Sequence, residues 1–238
     1  MVSFLLKFSL TAGLVFLGHL PLFATWSIIV IDPVTKEIGI AGASCSYNCY
    51  GIGAIIPGKG AVIVQARSSN SARKKGLKML EANATPEQII AEMRNPKYNP
   101  EQQQYAVISI RNMAHPKTYT GQATAAYNGA LTASGVSVQG NTLAHENQLK
   151  IILEAVLKAQ KERRSISDVL MIALEAGSAA GGDKRCGAQK ATSAFIMVTK
   201  PDDYLNDPYL NLTIYGLTPG KENAVKLLRA KYEQWIKE

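Results

Sequence analysis

Leu22-Phe23-Ala24-Thr25-Trp26-Ser27-Ile28-Ile29-Val30-Ile31 is the stretch from which the rest of this 238-residue chain is read. To its left lies an apolar leader. To its right, Thr25–Ile31 is a nearly unbroken run of β-branched and aromatic residues, the pattern of a strand covered on both faces. Lys7 is the one charge before the uncharged Phe8–Leu17 segment, and Gly18 and Pro21 break it before Ala24. A short apolar core, a break and a small residue at the junction predict a secretory signal peptide over residues 1–24. The core falls short of the about 20 apolar residues of a membrane span. Cleavage after Ala24 would leave a single domain, residues 25–238, exported to the periplasm or beyond, with no stable membrane insertion. Thr25 would then carry a hydroxyl nucleophile and a free α-amine on one residue, a recognised way to activate threonine without a neighbouring histidine.

Outward from this strand, Asp32-Pro33-Val34-Thr35-Lys36 is turn chemistry, and Ile38–Ala43 returns as a second strand. Gly51–Pro57 and Gly60–Ala66 follow as strands around Pro57-Gly58-Lys59-Gly60. The period then becomes helical over Ser71–Asn83. Thr85-Pro86-Glu87-Gln88 predicts a second helix with a capping box. Asn95–Gln103 reads as a loop. Tyr105–Arg111, Thr118–Gly121, Tyr127–Ala133 and Gly135–Gln139 read as strands. Leu149, Ile152, Leu153, Val156 and Leu157 mark an amphipathic helix, and Ser165–Ala176 another. Gly177–Ala188 reads as a Gly-rich loop, Thr192–Val198 and Tyr209–Tyr215 as strands, and Thr218-Pro219 as the cap of a terminal helix, 219–237. Doubly apolar strands need cover on both faces. The order predicts an α+β chain arranged as a four-layer α-β-β-α sandwich with mostly antiparallel sheets, in preference to one sheet with helices on one face.

The net charge of +8 is spread without a basic run, and Arg73-Lys74-Lys75 reads as a solvated helix face. No aromatic-basic interleaving suggests nucleic acid. The chain has three cysteines, Cys45, Cys49 and Cys186. Export predicts one disulfide and one leftover thiol, with the pairing open. A structural zinc needs a fourth ligand that the sequence does not offer, so neither a metal nor another cofactor is expected. Gly177–Lys184 only superficially resembles a phosphate loop: its lysine is one place late and a helix precedes it. Neither a Gly-x-Ser-x-Gly elbow nor a His-Glu-x-x-His motif occurs.

Thr25-Trp26-Ser27-Ile28-Ile29, Gly39–Ser44, Gly51-Ile52-Gly53, Val64-Gln65-Ala66, Val138-Gln139-Gly140-Asn141 and Glu175–Arg185 together resemble DUF1028. This is an uncharacterised bacterial family placed in the N-terminal-nucleophile (Ntn) hydrolase superfamily. The resemblance spans Thr25 to about Val198 and implies the same α-β-β-α sandwich. The three cysteines and Tyr215-Gly216-Leu217-Thr218-Pro219 depart from the family's pattern. Family members often start Met-Thr-Phe-Ser, so that Met removal exposes threonine; here cleavage of the leader would do so.

The site expected on this basis has Thr25 as nucleophile and Ser44 orienting its amine. Asn141 would hold the substrate carbonyl or the oxyanion, or else cap a helix. The backbone N–H groups of Ser68 and Ser69 would form an oxyanion hole or an ordinary helix cap. Gln139 and Gly140, from the same motif as Asn141, join them as substrate or oxyanion candidates. An Asp183–Arg185 ion pair would shape the mouth of the cleft, with Arg185 a candidate substrate ligand. The expected partner is a small-molecule or peptide amide, and self-association is compatible with the sequence. The competing expectation is a non-catalytic secreted binding or surface-assembly protein, of the fimbrial-assembly type, on the same fold.

Overall fold

The computed structural model describes residues 25–125 and 127–238. The expected leader, residues 1–24, lies outside the described residues. The chain is mixed α+β with two antiparallel sheets.

Strands β1 (Thr25–Ile31) and β2 (Ile38–Ser44) form the expected hairpin. Asp32 Oδ1 accepts from the N–H groups of Val34 and Thr35 in its turn. They lie inside a six-stranded sheet with β7 (Gly129–Ala133), β8 (Val136–Asn141), β9 (Ser193–Thr199) and β10 (Leu210–Ile214), in the order β10-β9-β2-β1-β8-β7. The second sheet is β3 (Gly53–Ile56), β4 (Gly60–Ala66), β5 (Gln103–Ser109) and β6 (Lys117–Thr120), in chain order.

Helices α1 (Asn70–Glu81) and α2 (Pro86–Met93) pack on the second sheet, where Leu80, Ile89 and Met93 meet Val62, Val64 and Tyr105. The Thr85–Gln88 capping box forms as expected. Helices α3 (Gln148–Lys161), α4 (Ile166–Ala179) and α5 (Ala224–Trp235) pack on the first sheet, against Trp26, Ile28, Val136 and Val138. A third apolar cluster joins Ile29, Ile31, Ile38 and Ile40 to Ile55, Ile63, Ala106 and Ile108.

Each central strand thus sends alternate residues to a helix layer and to the opposing sheet, which is the period of two of an extended chain. In β1, Trp26, Ile28 and Val30 face helices, whereas Ile29 and Ile31 face the second sheet. Thr25 and Ser27 share that inner face. The layer between the sheets is therefore apolar at one end and polar at the other.

The polar end departs from the elements expected of the sequence. Gln103 and Gln104, read as a loop and its edge, begin β5 instead. Their side chains are buried and bonded inside the protein: Gln104 Nε2 donates to Thr120 Oγ1 and to the carbonyls of Gly129 and Gly140 at 2.8–3.0 Å. Gly177, expected at the start of a Gly-rich loop, lies in α4. A Cβ there would stand 2.5 Å from Trp26 Nε1, so glycine is what lets the helix close on β1. The terminal helix does not start at Pro219. Gln189 clamps the preceding segment, its Nε2 donating to the carbonyls of Thr218 and Glu222 and its Oε1 accepting from Gly220 N–H. Gly220 is left-handed (φ +80°), and Asn223 caps α5 through Val225 N–H.

Candidate active site

Thr25 is the first residue of β1, and the strands on either side place one hydroxyl and one amide beside it. Ser44, the last residue of β2, is its partner on one side, and Asn141, the last residue of β8, on the other. Residues directly opposite in antiparallel strands project to the same face with Cβ atoms about 4.5–5.5 Å apart. All three side chains therefore share the inner face of the sheet. Thr25, Ser44 and Asn141 are each at least 96% buried. Asn141 does not cap a helix: α3 begins seven positions later, at Gln148.

A polar ladder leads to this point. Ser137 Oγ donates to Gln139 Oε1 (2.7 Å), Gln139 Nε2 to Ser27 Oγ (2.7 Å), and Ser27 Oγ to Gln65 Oε1 (2.5 Å). Gln65 Nε2 donates to Gln104 Oε1 (2.6 Å) and more weakly to the Thr25 carbonyl (3.4 Å). Buried amides and hydroxyls are costly unless paired, and this chain of bonds pairs them. It also holds Thr25 from behind. Gln139 is consumed within the ladder, and the Gly140 carbonyl is bound by Gln104, so both support the strand. Asn141 Oδ1, at the end of this ladder, is buried without a hydrogen-bond partner, as is Thr142 Oγ1 beside it, while Asn141 Nδ2 makes a 3.5 Å contact with Gln104 Oε1.

Thr25 opens onto a cavity of about 720 Å³. The loop after β2, the β4–α1 connection and the segment before β5 supply its other walls. Ser68 and Ser69 both line it. Ser69 caps α1 by accepting from Ala72 N–H, and its own N–H donates to Gln103 Oε1 at 3.2 Å, so that amide is already engaged. The Ser68 hydroxyl donates to the Val64 carbonyl.

Three residues that are not glycine adopt left-handed backbone here: Ala66 (φ +63°) and Asn99 (φ +54°), which line the cavity, and Thr142 (φ +51°), which follows Asn141. Such backbone is costly, most of all for a β-branched residue, and persists where the surroundings impose it, often at functional sites.

Asp183 and Arg185 form the expected ion pair, Nη2 to Oδ2 at 2.7 Å, but neither lines the cavity. Asp183 is fully buried and also accepts from Cys45 N–H at 2.7 Å. Cys45 is disulfide-bonded to Cys186. The pair and the disulfide together anchor the residue after Ser44, so their role is to hold the cavity's rim. Thr192 reinforces it, with its N–H on the Ser44 carbonyl and its hydroxyl on that of Ser46. Cys49 remains a free thiol in the cavity wall. Burial pushes its pKa up to about 12, so it is a thiol, not a thiolate, at neutral pH and is a poor nucleophile.

The sequence reading missed Arg67, Arg73 and Lys97, which line the cavity. The sequence places Arg73 on a solvated helix face. It is half-buried, and the signal for that lay in its position one residue after Ala72, on the edge of the buried stripe Ala72, Gly76 and Leu80. Among the described residues no cluster of three or more His, Cys, Asp and Glu side chains is placed to hold a metal ion. Among them, too, no helix is long and apolar enough to cross a membrane.

No curated protein of known description matches the chain. The crystal structure of a Silicibacter pomeroyi protein, itself matched to DUF1028, superposes with a TM-score of 0.74 at 23% identity, covering 89% of this chain and 88% of that one. That likeness is one of fold. The model of a family of unknown function, DUF1028, matches residues 25–220, and the chain belongs to that family.

Proposed function

We propose that this protein is an exported amide hydrolase of the N-terminal-nucleophile type, in which removal of residues 1–24 frees Thr25 to act as nucleophile. The observation that carries the proposal is the place of Thr25. It begins β1 at the wall of the cavity, with Ser44 and Asn141 directly beside it in register. The order helices, sheet, sheet, helices supports the α-β-β-α sandwich of that superfamily. The family match begins at residue 25, where the cut is expected.

In this reading the free α-amine of Thr25 takes the proton from its own hydroxyl as Oγ attacks the amide carbonyl carbon. The tetrahedral intermediate collapses, the C–N bond breaks, and the leaving amine departs with that proton. Water, activated by the same amine, hydrolyses the ester and restores Thr25. Asn141 Oδ1 is a buried acceptor without a donor, which suits it to an N–H of the amine more than to an oxyanion. Ser44 would orient the amine from the other side.

The test compares three forms: protein beginning at Thr25, protein with one extra residue before it, and Thr25→Ala. An amide nitrogen has its lone pair delocalised and cannot serve as base, so the extended form should keep its circular dichroism spectrum and lose turnover. General-base help is worth about a hundred- to ten-thousand-fold. Equal turnover of an amide library by all three forms would overturn the mechanism. No reaction of the first form with any amide or hydroxyl-directed probe would favour a non-catalytic binding protein.

A further inference from the structure

The geometry points to an anion subsite in the Thr25 cavity, formed by Arg67 and Arg73 at the β4–α1 connection, that binds a carboxylate carried by the substrate. The choice of an amide as that substrate rests on the hydrolase reading; the subsite itself is read from the cavity wall.

The wall contains Arg67, Arg73 and Lys97 and no Asp or Glu. Lys97 is paired with Glu92 at 3.2 Å and serves the rim. The arginines are different. Arg67 Nη1 donates to Gln102 Oε1 (2.7 Å). Arg73 donates to Asn70 Oδ1 (2.5 Å) and Ser68 Oγ (3.4 Å). Every one of these acceptors is neutral. Among the described residues, neither guanidinium lies within ion-pair distance of a carboxylate. Arg73 is half-buried, and burial alone draws its pKa down, the mark of a cation losing water without gaining a counter-charge.

The start of α1 adds to the same field. Asn70 and Ser71 line the cavity, and the first turn carries no acidic residue to offset the positive end of the helix dipole. Arginine matches a carboxylate through parallel N–H···O bonds, and such charge-assisted bonds are about twice as strong as neutral ones. A cavity of about 720 Å³ falls in the range of small-ligand sites. The substrate class is thus an amide with a carboxylate close to the scissile bond. Its source is either a free N-acyl amino acid or the C-terminal residue of a peptide.

The test measures binding, so that it does not depend on turnover. Purified protein carrying Thr25→Ala is titrated calorimetrically, at low salt, with N-acetylglycine, with its neutral counterpart N-acetylglycinamide, and with N-acetyl-tetra-alanine bearing a free carboxylate. At least one carboxylate should bind about tenfold or more tightly than the neutral amide. Added salt should reduce the preference. Arg73→Gln should remove most of it, while Lys74→Gln, next in sequence but outside the cavity wall, should retain it. If Arg73→Gln fails to fold, Arg67→Gln decides. Binding of N-acetylglycine identifies the free acyl amino acid as sufficient; binding of the tetrapeptide alone identifies the peptide end. Equal affinity for charged and neutral probes, no binding of either carboxylate, or a preference that survives in folded protein carrying both Arg67→Gln and Arg73→Gln would overturn the subsite. A carboxylate preference in protein whose wild type turns over no amide would keep the subsite and sink the hydrolase; turnover of neutral amides without the preference would do the reverse.

Discussion

Thr25 and Asn141 stand directly opposite each other at the ends of β1 and β8, and the buried Oδ1 of Asn141 has no hydrogen-bond donor. A buried polar atom left unpaired costs about 1–3 kcal/mol. A free α-amine on Thr25 would supply the missing donor. Asn141→Ala should therefore lower kcat about tenfold or more while the fold, read by circular dichroism, is kept. Asn141→Asp should place a negative charge beside the amine, favour its protonated form and move the pH–rate profile to higher pH. An unmoved profile would remove Asn141 from the amine's surroundings.

The base itself makes a prediction about pH. A free α-amine titrates at about 7.7–8.0 and acts as a base only when neutral. Turnover should rise as pH increases through this range and then level off. A profile controlled instead by a group near pH 6.5 would implicate a histidine, and the two histidines of the described domain, His115 and His145, lie outside the cavity wall.

The three cysteines should separate by reactivity. The Cys45–Cys186 disulfide closes a loop spanning 141 positions. Loops of that length are worth about 5 kcal/mol in the chain-entropy model, and losses on removal are typically about 2–5 kcal/mol. Reduction, or the Cys45→Ser and Cys186→Ser pair, should lower the urea midpoint accordingly. Because the bridge ties down the residue after Ser44, it should also lower turnover before global unfolding. Cys49, 2% exposed with its pKa near 12, should resist alkylation in the oxidised, folded protein and take one label on unfolding. Rapid labelling of the folded protein would contradict its placement.

Gly177 should tolerate no side chain. An added Cβ would stand 2.5 Å from Trp26 Nε1 and 2.9 Å from Ile152 Cδ1, both fully buried. Overpacking of this kind costs about 1–3 kcal/mol. Gly177→Ala should lower the urea midpoint despite alanine's better helix propensity. Since Trp26 adjoins Thr25, it should also reduce turnover. Stabilisation by this substitution would mean that α4 does not bear on β1 there.

Local chemistry made several features legible in the sequence. The Thr25–Ile31 strand, its hairpin with β2, the Thr85 capping box and the apolar stripes of α3 and α4 follow from residue preferences within a few positions. So did the place of Thr25 at the junction with an apolar leader, and the pairing of Asp183 with Arg185, two positions apart. The sequence by itself determined these because strand alternation, helix period and caps act between near neighbours. Tertiary structure alone decided which distant residues meet. Asn141 reads either as a ligand of the substrate carbonyl or oxyanion or as a helix cap until β8 pairs with β1, and that register sets it opposite Thr25. Arg73 reads as a solvated face until the loops around Thr25 fold over it and make a cavity wall. Gln139 reads as a substrate or oxyanion candidate at the end of a strand, and Gln104 as the edge of a loop, yet both side chains are bonded between the sheets. Cys186, and not Cys49, reaches Cys45 because Asp183 draws its loop against the end of β2. Gly177 reads as a loop breaker until Trp26 presses against α4. In each case the deciding contact joins segments far apart in the chain, and their meeting depends on strand register and on how the layers stack, which no local pattern encodes.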